Sequence, residues 1–83
     1  MGDLELDRSR PIWKQIGEDL ARRIDAGEWA GERLPGLVEL STRYGVAVST
    51  IQKAITHLKT TGHVRVELGL GTWPVHPAER QQG

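Results

Sequence analysis

Along this 83-residue chain apolar side chains recur every three or four positions over three stretches, after which the period drops to two. Ile12, Ile16, Leu20 and Ile24, with Trp13, Gly17 and Ala21 beside them, mark one face of a helix running to about Ala26. Pro11 suits its first turn, where a missing N–H costs nothing, and Gly27 supplies a left-handed stop. Glu18 and Arg22, like Asp19 and Arg23, stand at the favourable i, i+4 separation. The stretch from Gly27 to Gly36 contains three glycines and Pro35, so it reads as a turn and an extended stub anchored by Trp29 and Leu34. Leu37, Leu40 and Tyr44 predict a two-turn second helix closed by Gly45.

A third helix follows, with Val46, Ile51, Ala54, Ile55 and Leu58 on its apolar face and Gly62 at its end. Its other face carries Ser49, Thr50, Gln52, Lys53, Thr56 and His57. From His63 to Glu67 the residues alternate, Leu68-Gly69-Leu70-Gly71 turns, and Thr72 to Val75 returns as a second strand. The expected fold is mainly α, of α+β class: three helices and a two-stranded hairpin over residues 10–76. A flexible arm over 1–9 is expected before it and a disordered tail over 77–83 after it. Two short helices joined by a glycine-containing turn and followed by a hairpin make a winged helix-turn-helix. The helix over about 48–61 would then fit a DNA major groove, which is about 12 Å wide.

Composition narrows the functions open to such a fold. Leucine, isoleucine and valine make up 20 of the 83 residues, enough for one core and too few for two domains. There is no cysteine, and His57, His63 and His76 lack metal-ligand spacing, so no metal and no cofactor is expected. Apolar runs are too short for a membrane span or a signal peptide, which makes the cytoplasm the expected compartment and excludes a membrane partner. Catalysis is not expected either. Glu18 and Asp19 are adjacent on a helix and point apart, and the glycines of the hairpin join strand to strand, not strand to nucleotide-binding helix.

Net charge is zero, but it is unevenly spread. Residues 1–39 carry six basic and nine acidic side chains, whereas residues 40–66 carry Arg43, Lys53, Lys59 and Arg65 with no acid. The stretch that holds the third helix is therefore basic.

The residues resemble the GntR-type winged-helix transcription regulators. The resemblance runs through Pro11-Ile12-Trp13-Lys14-Gln15-Ile16, Ile24-Asp25-Ala26-Gly27-Glu28-Trp29 and Arg33-Leu34-Pro35. It continues in Glu39-Leu40, Arg43-Tyr44-Gly45-Val46, Thr50-Ile51, Lys53-Ala54-Ile55, Leu58, Gly62 and Gly69-Leu70-Gly71-Thr72-Trp73, covering roughly residues 7–75. It implies a sequence-specific regulator of transcription that binds double-stranded DNA, with repression by occlusion expected; since one small module offers little interface, a homodimer, or two copies on a repeated or inverted operator, is expected. The candidate DNA-contacting positions are Val48, Ser49, Thr50, Gln52, Lys53, Arg43, His57 and the wing residues Gly69, Leu70 and Gly71. No small-molecule effector site is visible, since only about eight residues follow the hairpin.

Four positions depart from the family pattern: Val38, Val48, Gln52 and Leu70 stand where basic residues are usual. Val48 would touch a thymine methyl and Gln52 would pair with adenine, favouring an A·T-rich site. The alternative is a protein-interaction module using Leu37, Val38, Val48 and Leu70 as an apolar patch on the former DNA face. Trp13, Trp29 and Trp73 read as packing residues. His57 is expected on the outer face, either on a phosphate or solvated. Arg43 meets a phosphate or complements the end of its helix, and Arg8 and Arg10 are candidates for an adjacent phosphate.

Overall fold

Residues 6, 7 and 9–77 are described by the computed structural model, and within them the first periodic stretch becomes α1 (Ile12–Asp25). Pro11 stands one position outside it, with φ −55° and ψ 124°, as the N-cap and not as the first helical residue. The helix stops at Ala26, and Gly27 turns away at φ 94°. The loop that follows places Trp29 itself in the left-handed region at φ 63°, a conformation costly for a bulky residue and held here by packing of its half-buried side chain against the core.

The remaining elements are α2 (Leu37–Tyr44), α3 (Val48–Thr60), β1 (Val64–Glu67) and β2 (Gly71–Pro74), the winged helix-turn-helix arrangement. Gly45 at φ 68° closes α2 and opens the turn to α3. The strands pair antiparallel, Val64 against Pro74 and Glu67 against Gly71. Leu34 adds one rung on the outer edge, its N–H donating to the Thr72 carbonyl at 2.8 Å, which ties the extended stub to the hairpin.

α3 is the central element, packed by α1, α2 and β1. Ile16, Leu20, Ile24, Leu40, Ile51 and Leu58 are fully enclosed at these contacts. Each contributes about 1.5–3 kcal/mol by leaving water. Gly17 on α1 and Ala54 on α3 keep the crossing close: a β-carbon on Gly17 would already touch the Ala54 carbonyl at 3.9 Å.

Two polar clamps lie inside this packing. Gln15 is buried and its amide grips the chain ahead of α1, accepting from Asp7 N–H at 2.7 Å and donating to Asp7 O at 2.6 Å. Leu6 packs against the core beside it, so Leu6 and Asp7 are held; the rest of the expected arm before Ser9 lies outside the described residues, as does the tail after Pro77. The second clamp keeps the expected Asp19–Arg23 pair, at 2.9 Å, and corrects the expected Glu18–Arg22 one. Glu18 reaches back to Arg10 at 3.2 Å, and Arg22 turns instead to Asp19 at 2.7 Å.

Asp19 is only 6 % exposed. Its carboxylate also accepts from Arg23 Nε at 2.9 Å and from the Tyr44 hydroxyl at 2.6 Å, joining the middle of α1 to the last residue of α2. Burial alone would raise the Asp19 carboxyl, but the hydrogen bonds from Tyr44 and Arg23 and the charges of Arg23 and Arg22 outweigh it and leave the group below its ordinary value. Burial first, and then donation to Asp19, push the Tyr44 phenol up.

Candidate nucleic-acid interface

α3 buries Ile51, Ala54, Ile55 and Leu58, so the 3.6-residue period turns Ser49, Gln52, Lys53 and Thr56 outward, and all four are exposed. No acidic residue occurs on this helix. To one side of that face stands α1. Ile12 and Trp13 form, with Ser49, Thr50 and Lys53, a shallow hollow at the junction of the two helices. To the other side stands the hairpin, where Gln52 and Thr56 share a cleft with Leu37, Ile55, Val66 and Thr72.

The expected contact residues therefore divide. Ser49, Gln52 and Lys53 lie together on the outward face, while Thr50 and Val48 are half-buried at its margins. His57 is not on the outer face. Its ring is half-buried and stands edge-on to Trp13, 5.2 Å between centroids, and it lies next to Gly17 of α1. Arg43, at the end of α2, is turned to Glu39 at 2.6 Å. Gly69, Leu70 and Gly71 form the exposed tip of the wing.

The tip is built on a β-turn in which Leu70 N–H donates to Glu67 O at 3.0 Å and Gly69 takes φ 77° at the third position. Arg33 braces it from the loop before α2, donating from Nη1 to the Leu70 carbonyl at 3.1 Å. Its aliphatic stem fills the space a β-carbon on Gly71 would occupy, with Cδ 2.9 Å away.

Three participants were missed from sequence: Thr56, Arg33 and Trp13. Thr56 was on the expected polar face, and its step of four from Gln52 was a sufficient signal. The long-range pairing of Arg33 with the wing had none.

The basic stretch is also weaker than it reads. Arg43 is neutralised by Glu39 and Arg65 by Glu67 at 2.9 Å, and these two acids sit one residue outside each end of the stretch. Lys53 and Lys59 have no carboxylate partner among the described residues. The apolar set divides too: Leu37 packs against the core and Val48 is half-buried, whereas Val38 and Leu70 are 70 % and 57 % exposed.

Residues 13–73, most of this interface and its scaffold, match the family described as bacterial regulatory proteins, gntR family. The chain belongs to the GntR family. It is similar in structure to a GntR family transcriptional regulator from Listeria monocytogenes, with 32 % identity and a TM-score of 0.80 over 93 % of this chain and 68 % of that one. A transcriptional antiterminator from Listeria monocytogenes EGD-e shares the fold, with 24 % identity and a TM-score of 0.74 over 90 % of this chain and 57 % of that one. The search of curated proteins returned no match. The molecule is a GntR-family DNA-binding transcription-regulator domain, and the role these likenesses imply is binding. No helix among the described residues is long and apolar enough to cross a membrane.

Proposed function

We propose that this GntR-family domain seats α3 in the major groove of duplex DNA and represses transcription by occluding the site it reads. One observation carries the reading: Ser49, Gln52, Lys53 and Thr56 make an exposed, acid-free polar ridge that no other element among the described residues covers. Gln52, near the middle of that ridge, has the donor and acceptor needed to pair bidentately with adenine, and Val48 at its edge suits a thymine methyl. Lys53, Ser49 and Thr50 meet phosphates, and the glycine-rich tip of the wing, Gly69 to Gly71, approaches the neighbouring minor groove. Arg43 joins them when it exchanges Glu39 for a phosphate.

One module of this size buries about 600–1,000 Å² on DNA, too little for nanomolar specificity. The working form is therefore a homodimer on two half-sites about one helical turn apart. Access to bacterial operator DNA places that work in the cytoplasm.

Selection of bound sequences from a random duplex pool, followed by salt titrations, tests this. An enriched motif is expected, with Gln52→Ala losing about 1–3 kcal/mol of discrimination at one base pair. Lys53→Ala should weaken all sequences alike and make the salt slope shallower by about 0.9. Absence of salt-dependent binding and of any enriched motif sinks the proposal. Protein docking on the wing side is a second reading, favoured by the exposure of Val38, Val66, Leu68 and Leu70. In that case Val38→Asp and Leu70→Asp abolish a protein complex and leave DNA untouched.

A further inference from the structure

We infer that Trp13 is a positioning residue of this interface, its indole holding the Lys53 ammonium over the α1–α3 hollow so that a DNA backbone phosphate is bound there. The inference rests on the DNA-binding reading above and adds to it a residue outside the helix-turn-helix and the wing. Lys53 Nζ lies 5.2 Å from the centroid of the Trp13 ring. That is within the roughly 6 Å at which a cation is drawn to the face of an indole.

The indole is itself fixed. Part of Trp13 packs against the core, and the His57 ring abuts it edge-on at an interplanar angle of 66°. His57 thus acts through Trp13, which accounts for its inward position.

The chemistry of this arrangement differs from that of the other cations nearby. Arg43 and Arg65 are ordered by carboxylates, which cancel their charge. Lys53 is ordered by a neutral ring, so its full charge remains. The ring face takes no hydrogen-bond acceptor role in the usual sense, so the ammonium keeps N–H donors for a phosphate oxygen. A lysine side chain loses much rotamer freedom when it is pinned on DNA, and ordering it beforehand reduces that loss. Ser49 and Thr50 line the same hollow and bring hydroxyl donors to the same phosphate.

The placement also assigns Lys53 a role. An ammonium drawn toward α1 tracks the backbone at the groove's edge and leaves base reading to Gln52 and Thr56 on the other side of the ridge.

A double-mutant cycle tests this with a random-sequence duplex and with a duplex carrying the selected site. Lys53→Met is expected to weaken binding to both about tenfold and to make the salt slope shallower by about 0.9. Trp13→Leu is expected to weaken binding about threefold in the Lys53 protein and to have no effect once Lys53→Met is present. Trp13→Phe, which keeps a weaker ring face, falls in between, and it carries the cycle if Trp13→Leu does not fold. Equal losses from the Trp13 changes in both backgrounds would mean that the ring only packs, and would overturn the inference while leaving DNA binding intact. Wild-type protein without salt-dependent binding would overturn both.

Discussion

Replacing Asp19 with alanine removes the one carboxylate that α1 and α2 share. Its loss leaves the Tyr44 hydroxyl buried without an acceptor, a penalty of about 1–3 kcal/mol. Arg22 is two-thirds exposed and Arg23 keeps Glu28 at 3.3 Å, so together they add no more than about 1 kcal/mol. The expected cost is therefore about 1–4 kcal/mol, a large share of the roughly 4–12 kcal/mol available to a domain of this length. Tyr44→Phe, which leaves Asp19 with both arginines, should cost less, about 1.5 kcal/mol, the worth of one hydrogen bond to a charged group.

Urea unfolding followed by circular dichroism across pH separates this account from simple loss of packing. The folded Asp19 carboxyl titrates below its ordinary value of 3.8. Its contribution is therefore complete above the ordinary value and is lost as pH falls through the lower, folded one. The gap between wild type and Asp19→Ala should hold from neutral pH down to about pH 4 and shrink below it. A gap at neutral pH under about 0.5 kcal/mol, the scale of an exposed ion pair, would refute the reasoning. So would a gap that does not narrow in acid.

Two further changes bear on the interface. Leu70→Arg adds a cation to a side chain 57 % exposed at the tip of a braced wing, so stability should move by less than about 0.5 kcal/mol while the salt slope on random duplex steepens by about 0.9. An unchanged slope would place the wing away from phosphate. Glu39→Gln releases Arg43 from an exposed pair at a stability cost under about 1 kcal/mol, and binding to random duplex should tighten with a steeper slope. If the slope stays the same, Arg43 has no part in binding.

Much of the fold is legible in the sequence because its signals are local. The periods of Ile12 to Ile24 and Ile51 to Leu58, the glycine after Tyr44 and the two-residue alternation through Val64 each depend on neighbours a few positions away. The site is less so, because its decisive partners are distant in the chain or ambiguous in spacing. The spacing of Asp19 showed its pairing with Arg23 but not the Tyr44 hydroxyl it also accepts from, 25 positions on, which only the packing of α1 and α2 brings to it. Arg33 reaches Leu70 across 37 positions. His57 belongs to the polar face by count, yet at the α1–α3 crossing, where Gly17 and Ala54 bring the helices close, that edge of the face is enclosed by Trp13.

Charge pairing has a consequence for how such a domain would discriminate. Non-specific affinity for DNA comes almost wholly from cations meeting phosphates, each worth about 0.9 in the salt slope. With Arg43 and Arg65 held by carboxylates, that term is small, and it falls equally on every sequence. The base-edge contacts proposed for Gln52 and Thr56 would be untouched by the pairing, since neither residue is charged. Lowering the shared term while keeping the specific one leaves the ratio between right and wrong sites unchanged for one module, and reduces the protein held on the bulk of a genome. Two modules on one operator, as proposed above, would multiply the specific term, so a weakly charged interface of this kind would work better as a pair than alone.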